Sequence, residues 1–470
     1  MVAAGERIHV IGIAGSGAAG AAVLLHLAGA MVDGCDIDTP SPYTPALDAA
    51  GIPFAGGHDP AHLAGVDRVA ITPALRAVSS HAELDAALER GIPVASWQQL
   101  LGELMASPGR IGLAVTGTHG KSTTTALLGH LLVSAGLDPT VEVGAFIGAW
   151  GASVRSGHGA PFLVEADEFG DNFLHYHPAA AIVTNVEMDH PDYFADGAAV
   201  MASFERFVRG LAGHPALNGR LLLASAGEPG VDELVGRLRD WDGRILRYGP
   251  GGDIWAVDVT LEPDWTRFTL FDHRFEMTLA GEHNVLNATA ALILARTLGS
   301  DLGLLADGLR TFAGAGRRME LIADTAVVTI YDDYGHHPTE VRAALAAVRQ
   351  KVGRERRLWA VFEPHMYSRT ALLMDAFATS FTDADEVVIA DVFASRDTPE
   401  AIASTSAEAL ADAIERTSAV PAIATGDVES TTDYVADHVA HGDAVLVMGA
   451  GKSYLIARAL ADRMASGARP

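Results

Sequence analysis

The densest chemistry in the chain lies in GLAVTGTHGKSTTTALLGHLL, where an apolar run meets a glycine-rich turn, then Lys121-Ser122, then an amphipathic stretch. Backbone N–H groups in such a turn wrap phosphate oxygens, and the positive end of the following helix adds to the attraction. Lys121 is placed to bridge the outer phosphates of a nucleotide, and the Ser122 hydroxyl to ligate Mg2+. The complete nucleotide loop reads G-x-x-x-x-G-K-[ST]; Val115 occupies its first position here. Lysine occurs only at Lys121, Lys351 and Lys452 while arginine supplies the other basic charge, so a lysine in this turn is informative.

Carboxylates follow two further apolar runs. PFLVEADEFGDNF places Glu165, Asp167 and Glu168 after one, and AAAIVTNVEMDHPDYF places Asn185, Glu187, Asp189 and His190 after the other. Ligands of open α/β sheets gather at such strand ends. A few hard oxygen donors, with water completing the shell, suit Mg2+ on a nucleotide. Glu187 and Asp189 read equally well as solvated turn residues. His336-His337-Pro338 follows Asp332-Asp333, and EPHMYSRT brings Glu363, His365 and Arg369 to another strand end. Arginine there can grip a carboxylate through two parallel hydrogen bonds. GEHNVLN offers His283, Asn284 and Asn287 at a helix start, where asparagine can also be a plain cap. GIAGSGAAG, with Gly12, Gly15 and Gly17, has three readings. It is a dinucleotide turn with Asp36 or Asp38 as acidic partner, a cradle for a sugar-nucleotide diphosphate, or a structural turn. GAGKS at 449–453 reads as a shorter, structural loop.

Each of these groups sits between a β-branched run and an Ala/Leu-rich stretch, the alternation that predicts parallel sheets flanked by helices. It restarts three times, with strands expected over 8–13, 111–115 and 327–331 and helices over 21–28, 126–135 and 341–352. Turn-rich MASPGR and FAGAGRR separate the starts. The prediction is an α/β protein of three domains. A Rossmann-like N-terminal domain spans 1–107, a central P-loop ATPase-type α/β domain with an antiparallel β insert over 245–275 spans 108–315, and a Rossmann-like C-terminal domain spans 316–470. The closing MASGARP reads as a frayed tail. A length of 470 residues, 49% hydrophobic and 20% charged, is enough for three such cores.

Thirty-three Lys+Arg against fifty-nine Asp+Glu leave a formal charge of −26, which repels a phosphate backbone and argues against nucleic-acid binding. An anionic substrate must then be held by local devices: helix N-termini, a metal ion or a few placed arginines. Cys35 is the one cysteine, which excludes an internal disulfide and a zinc cluster built on cysteines. No basic-then-apolar leader and no run of about 18 apolar residues is present, so a cytoplasmic protein without membrane insertion is expected.

In order along nearly the whole chain, GTHGKSTTT, EADE, TNVEMDH, HNVLNA, GRRME, DDYGHHPTEV and EPHMYSRT resemble the motifs of the Mur ligase family. DDYGHHPTEV with EPHMYSRT resembles the alanine-adding branch or its relative, the murein-tripeptide recycling branch. The resemblance implies an ATP-dependent amide ligase of peptidoglycan precursor synthesis, with ATP and Mg2+ as cofactors. It would join L-alanine to the lactyl carboxylate of UDP-N-acetylmuramate through an acyl phosphate. A recycling ligase that joins a peptide to the same sugar nucleotide is the alternative, and an NAD-dependent oxidoreductase built on residues 12–20 is the rival from another class.

The resemblance also implies roles. The N-terminal domain binds UDP, the central one ATP, and the C-terminal one closes over the site. Gly117, Thr118, His119, Gly120, Lys121, Ser122 and Thr123 hold the ATP phosphates, and Ser122, Glu165 and His190 take the metal. His283, Asn284 and Asn287 lie near the adenine, Arg318 near the γ-phosphate and Asp333 near the ribose. His336, His337, His365 and Arg369 face the substrate, with His337 as candidate base and Arg369 on the amino-acid carboxylate. Lys121, His190, Arg318, His337 and Arg369 make up the catalytic set. Gly12, Gly15 and Gly17 approach the UDP diphosphate. Met366 stands where the family often has arginine, Lys452 where it has an acid or amide, and SWQQLL lacks the usual basic pair.

Overall fold

The computed structural model describes residues 1–37, 39–73, 75, 80–325 and 327–465. Asp38, one of the two acids weighed beside the first glycine turn, and residues 466–470 of the expected tail lie outside these. The chain packs as two compact units. Residues 1–187, 198–255 and 287–311 form the first; residues 188–197, 256–286 and 312–470 form the second.

The first unit contains two sheets. Five parallel strands run in the order Phe54–Gly56, Met31–Asp36, Arg7–Ile11, Arg68–Ile71, Val94–Ser96. Period-2 side-chain alternation splits Arg7–Ile11 between two cores. Ile8 and Val10 pack with Ala18, Ala22 and Leu25 on one face, while Ile11 joins Cys35, Leu63 and Ala87 on the other. The following helix is Ser16–Leu27, five residues longer at its start than expected because its first turn is made of serine, glycine and alanine. Gly20 there lets the helix touch strand Ala152–Arg155, since a Cβ would stand 2.5 Å from Val154 Cγ1.

The second sheet has seven strands, with Ile111–Thr116 lying between Ala180–Val183 and Pro161–Glu165, parallel to both. Being covered on both faces, it reads as a continuous apolar run. Arg244–Tyr248 pairs in parallel with Leu221–Ser225 at one edge. This corrects the expected β insert: only Val257–Leu261, Thr266–Leu270 and His273–Met277 form the antiparallel set. They lie in the second unit.

The second unit's main sheet runs Glu320–Asp324, Val328–Asp333, Asp443–Met448, Leu358–Phe362, Glu386–Ala390, Ala422–Gly426, with the first strand antiparallel and the rest parallel. Both faces are apolar, one around Leu345, Phe362 and Leu446 and the other around Trp359, Val445 and Ile456. Among the described residues no helix is long and apolar enough to cross a membrane.

Candidate active site

The turn between strand Ile111–Thr116 and helix Lys121–Ser134 is built from backbone that only glycine takes easily. Gly117 has φ +136°, and a Cβ there would lie 2.1 Å from Thr184 Oγ1 with Asn185 backbone at 3.0 Å; Gly120, at φ +79°, is the helix N-cap. The chain after Ala180–Val183 holds the turn from behind. His119 N donates to Asn185 Oδ1 at 2.7 Å, Thr184 Oγ1 donates to His119 O at 2.6 Å, and Glu187 N donates to Thr118 Oγ1 at 2.8 Å. The expected site residues Gly117 through Thr123 therefore form one rigid cradle. Asn287 closes it, since a Cβ on Gly120 would sit 2.9 Å from Asn287 Oδ1.

Lys121 is folded back into this cradle. Its Nζ donates to Gly117 O at 2.7 Å and Glu168 Oε2 at 2.8 Å, with Asp167 at 3.4 Å. Burial works against the ammonium, yet the charges of Glu168 and Asp167 outweigh it and raise Lys121 above its ordinary range. Glu168, itself buried, was read in the sequence only as one acid of a strand end; nothing there showed that it would be the counter-ion of Lys121. It holds the place that phosphate oxygens take in such loops.

At the next residue, Ser122 Oγ donates to Glu165 Oε1 at 2.9 Å, and Gly144 N donates to Glu165 Oε2 at 2.7 Å. Glu142, on the adjacent strand, is 2% exposed and its Oε2 makes no hydrogen bond. Burial, with Glu165 and Asp167 nearby, pushes the Glu142 carboxyl well above its usual range. A hydroxyl, a positioned carboxylate and a second buried carboxyl with an unbonded oxygen are an all-oxygen donor set that fits Mg2+. Glu142 has no motif to mark it in the sequence, sitting mid-strand in TVEVGAF.

The remaining expected residues lie in the second unit. His283 and Asn284 open helix Glu282–Thr297, the helix that also carries Asn287. Asn284 Nδ2 donates to Ala280 O at 2.7 Å, and burial pushes the His283 ring down to about 4, a neutral imidazole. Asp333 accepts from Met319 N at 2.8 Å and Gly335 N at 2.7 Å; burial pushes its carboxyl up to about 6 against the pull of Arg318. Arg318 stacks over Tyr334, its guanidinium carbon 5.1 Å from the ring centre.

Asp189, which the sequence left open between a strand-end ligand and a solvated turn residue, organises the rest. It is 5% exposed and accepts from Arg369 Nε at 2.7 Å and His190 N at 2.7 Å. Burial opposes its charge, but His190 and Arg369 hold the carboxyl well below the usual carboxylate range. His190, the third expected metal residue, takes φ +53° and puts Nε2 3.8 Å from Asp189 Oδ2. Such left-handed non-glycine backbone is costly and concentrates at functional sites.

Arg369 departs from expectation. It is 1% exposed, with Nε on Asp189 and Nη1 donating to His365 Nδ1 at 2.9 Å, so its fork is engaged internally rather than held out for a carboxylate. His337 departs as well. It caps helix Pro338–Val352, its Nδ1 accepting from Thr339 N at 3.3 Å while Glu340 accepts from His337 N. With Nδ1 an acceptor, the neutral ring carries its proton on Nε2, assigned from this bond, and presents a donor instead of a base. His365, accepting from Arg369 at Nδ1, is in the same tautomer. Burial, with His336 and Arg369 beside it, pushes His365 down to about 2, and burial pushes His336 to about 4. Met366 is fully buried at φ +71° and offers no exposed wall.

Two glycine motifs resolve differently. In the N-terminal turn, Gly12 has φ +83°, and Gly15 caps the helix, where a Cβ would meet only Gly12 O at an ordinary 3.7 Å. Gly17 is explained by packing, since its Cβ would meet the Trp97 ring at 2.4 Å. Asp36 Oδ2 accepts from Ala14 N at 2.9 Å, so the acid read as a dinucleotide partner holds the turn itself. In GAGKS the anion is the protein's own: Ser453 N donates to Glu363 Oε2 at 2.8 Å, which bears out the structural reading.

Three family models match in succession: "Mur ligase family, catalytic domain" over residues 7–108, "Mur ligase middle domain" over 115–295 and "Mur ligase, glutamate ligase domain" over 317–451. The chain is 38% identical to a UDP-N-acetylmuramate–L-alanine ligase of Mycolicibacterium vanbaalenii, over 96% of this chain and 95% of that protein. It is 39% identical to the protein of the same name from Kineococcus radiotolerans, over 95% and 93%. Among solved structures, the UDP-N-acetylmuramate–alanine ligase of Thermotoga maritima shares the fold at TM-score 0.81 and 24% identity, covering 98% of this chain and all of that one. A murein peptide ligase of Psychrobacter arcticus matches at TM-score 0.69 and 25% identity, covering 99% and 100%. With three successive domain matches and relatives aligned over nearly their whole length, the chain belongs to the Mur ligase family.

Proposed function

We propose that this protein joins L-alanine to the lactyl carboxylate of UDP-N-acetylmuramate with ATP, in peptidoglycan precursor synthesis. The carrying observation is the cradle of residues 117–123, with Lys121 held charged and Ser122 set on Glu165, in a chain whose full-length relatives bear that activity's name. The proposed domain division is 1–107 for the sugar nucleotide, 108–315 for ATP and 316–470 for the ligase domain.

A carboxylate does not form an amide with an amine unaided, because its oxygen is a poor leaving group. The lactyl carboxylate oxygen attacks the γ-phosphorus of ATP, the bond to the β-phosphate oxygen breaks, and an acyl phosphate and ADP result. The amine of L-alanine then attacks the acyl carbon, loses a proton and expels phosphate. Transfer between two anions needs positioned positive charge. The turn's N–H groups and Lys121 supply it, Lys121 exchanging Glu168 for phosphate oxygen, and Arg318 is assigned to the γ-phosphate. Ser122 and Glu165, with Glu142 beside them, would hold Mg2+, whose chemistry is to neutralise charge on the phosphate oxygens. His337 and His365, neutral with N–H donors at Nε2, suit oxygen charge developing on the acyl group; neither supplies the base. Asp189 and Arg369 position His190 and His365. Gly12 and Gly15 are assigned to the UDP diphosphate.

The peptide-joining reading differs only in the acceptor. The oxidoreductase reading leaves the cradle unused and finds Asp36 already bonded to Ala14. Phosphate release from ATP tests the assignment: it should require both UDP-N-acetylmuramate and L-alanine, and release that ignores both would overturn it.

A further inference from the structure

On the face of the N-terminal sheet opposite helix Ser16–Leu27, four side chains from four segments converge. Strand pairing sets His9 beside Asp33 and Ile11 beside Cys35, so His9 and Cys35 lie on one face, two pleats apart. The turn Pro60–Leu63 adds His62, and helix Ala82–Glu89 adds Glu83. His9 Nε2 and His62 Nδ1 each stand 3.0 Å from Glu83 Oε1, and Cys35 Sγ is 2.9 Å from Glu83 Oε2. One nitrogen, sulfur or oxygen from each of the four lies within 4.8 Å of all the others.

His9, Cys35 and Glu83 are at most 2% exposed. An ionised carboxylate so deep needs a positive partner. His9 Nδ1 faces Asp33 Oδ1 at 2.5 Å and its Nε2 faces Glu83 Oε1, so without a metal ion the ring, despite its burial, holds a proton between two carboxylates, which raise it to about 9. The positive charge that Glu83 requires can be a proton on His9 or a metal ion held in its place. A proton serves one nitrogen at a time, whereas one metal ion can meet the two imidazole nitrogens, the sulfur and the carboxylate oxygen that converge here.

We propose that His9, Cys35, His62 and Glu83 bind a structural Zn2+ ion. Two nitrogens, a thiolate and a carboxylate oxygen make a closed four-ligand set for a borderline-soft, tetrahedral metal. Binding releases the Cys35 thiol proton and the His9 Nε2 proton to solvent, and the ion's two positive charges cancel thiolate and carboxylate, so the four-ligand site is neutral. Asp33 on the far nitrogen of His9 is the carboxylate–histidine–zinc arrangement that orients such ligands. His58, with Nδ1 3.1 Å from Cys35 Sγ, adds a hydrogen bond to the sulfur. The ion would pin the turn Pro60–Leu63 and helix Ala82–Glu89 to the sheet.

Because Cys35 is the only cysteine, a thiolate-to-cobalt band reports on this site alone. The full-length protein, stripped with a chelator and kept free of nucleotide and Mg2+, is titrated with Co2+. The expected result is a near-ultraviolet thiolate-to-cobalt charge-transfer band with tetrahedral visible bands that saturates at one equivalent and is displaced by one equivalent of Zn2+. Cys35→Ser should lose the charge-transfer band. His62→Asn, at a partly exposed position where folding is safe, should weaken binding at least tenfold. Folded wild-type protein showing no charge-transfer band at excess Co2+ would overturn the proposal, as would unchanged affinity in His62→Asn. The signal is independent of the ligase reading, which is scored by turnover.

Discussion

At the scale of single residues, the cradle's charges are coupled in pairs, and the pairs decide what substitutions do. Lys121→Ala should abolish measurable turnover, but it also takes the ammonium away from Glu168, which is 2% exposed. Stranding a buried charge costs up to roughly 3–5 kcal/mol, so the single variant should melt earlier as well. Lys121→Ala with Glu168→Gln should regain most of the stability and none of the activity. Urea melts alongside phosphate-release assays check this, and recovery of turnover in the double variant would contradict the role of Lys121. Glu165→Gln should raise the Mg2+ concentration needed for half-maximal rate. Glu142→Gln replaces a carboxyl whose charged form burial, Glu165 and Asp167 disfavour, and should leave stability within about 1 kcal/mol of wild type. The sequence named Lys121, Ser122 and Glu165 because loop chemistry demands those types. It could not name Glu142 or Glu168 as partners, because a counter-ion is chosen by distance in space. The same limit applied to Arg369, whose type promised a substrate carboxylate while the fold supplied Asp189.

Asp189 carries a pH signature that belongs to an element, the segment after Ala180–Val183 that Arg369 anchors. Its folded carboxyl sits well below the ordinary 3.8. The unfolded chain therefore takes up the proton first as pH falls, and the stabilisation is complete above about pH 4 and shrinks below it. Asp189→Asn should be less stable than wild type at pH 7, with the gap narrowing below pH 4; a gap that stayed constant down to pH 3 would contradict the pairing. Turn glycines give a second test. Gly117→Ala should destabilise the protein and abolish turnover, because its Cβ has no room beside Thr184. Gly15→Ala has room in the fold, so a raised KM for UDP-N-acetylmuramate at unchanged stability would report close approach of the diphosphate, and an unchanged KM would remove Gly15 from that role. The three strand–turn–helix starts were legible because apolar runs ending in glycine turns have few other solutions. Helix starts were not: Ser16-Gly17 and Lys121-Ser122-Thr123 lack the apolar period, and their helical state is set by packing against Trp97 and by the left-handed Gly120 cap. Arg244–Tyr248 looked antiparallel because an edge strand, covered on one face only, alternates whichever way its neighbour runs.

For the whole molecule, a formal charge of −26 means that two anionic substrates are bound against the protein's general field. The work falls to local devices: a glycine cradle, one lysine, a few arginines and a cation. That is why function was readable from short motifs in their order and not from composition, and why the acceptor was not readable at all, since the alanine-adding and peptide-recycling branches share those motifs. The most direct test of the central claim is the acceptor itself. Purified protein is supplied with ATP, Mg2+ and UDP-N-acetylmuramate, then with L-alanine, glycine, L-serine or the murein tripeptide, and product is identified by mass. The account predicts UDP-N-acetylmuramoyl-L-alanine formed stoichiometrically with ADP and phosphate. L-Alanine should lead glycine and serine by only about 1–3 kcal/mol of discrimination, the worth of one small group in a pocket. Preferential joining of the tripeptide, or ATP turnover with no amide formed, would contradict it.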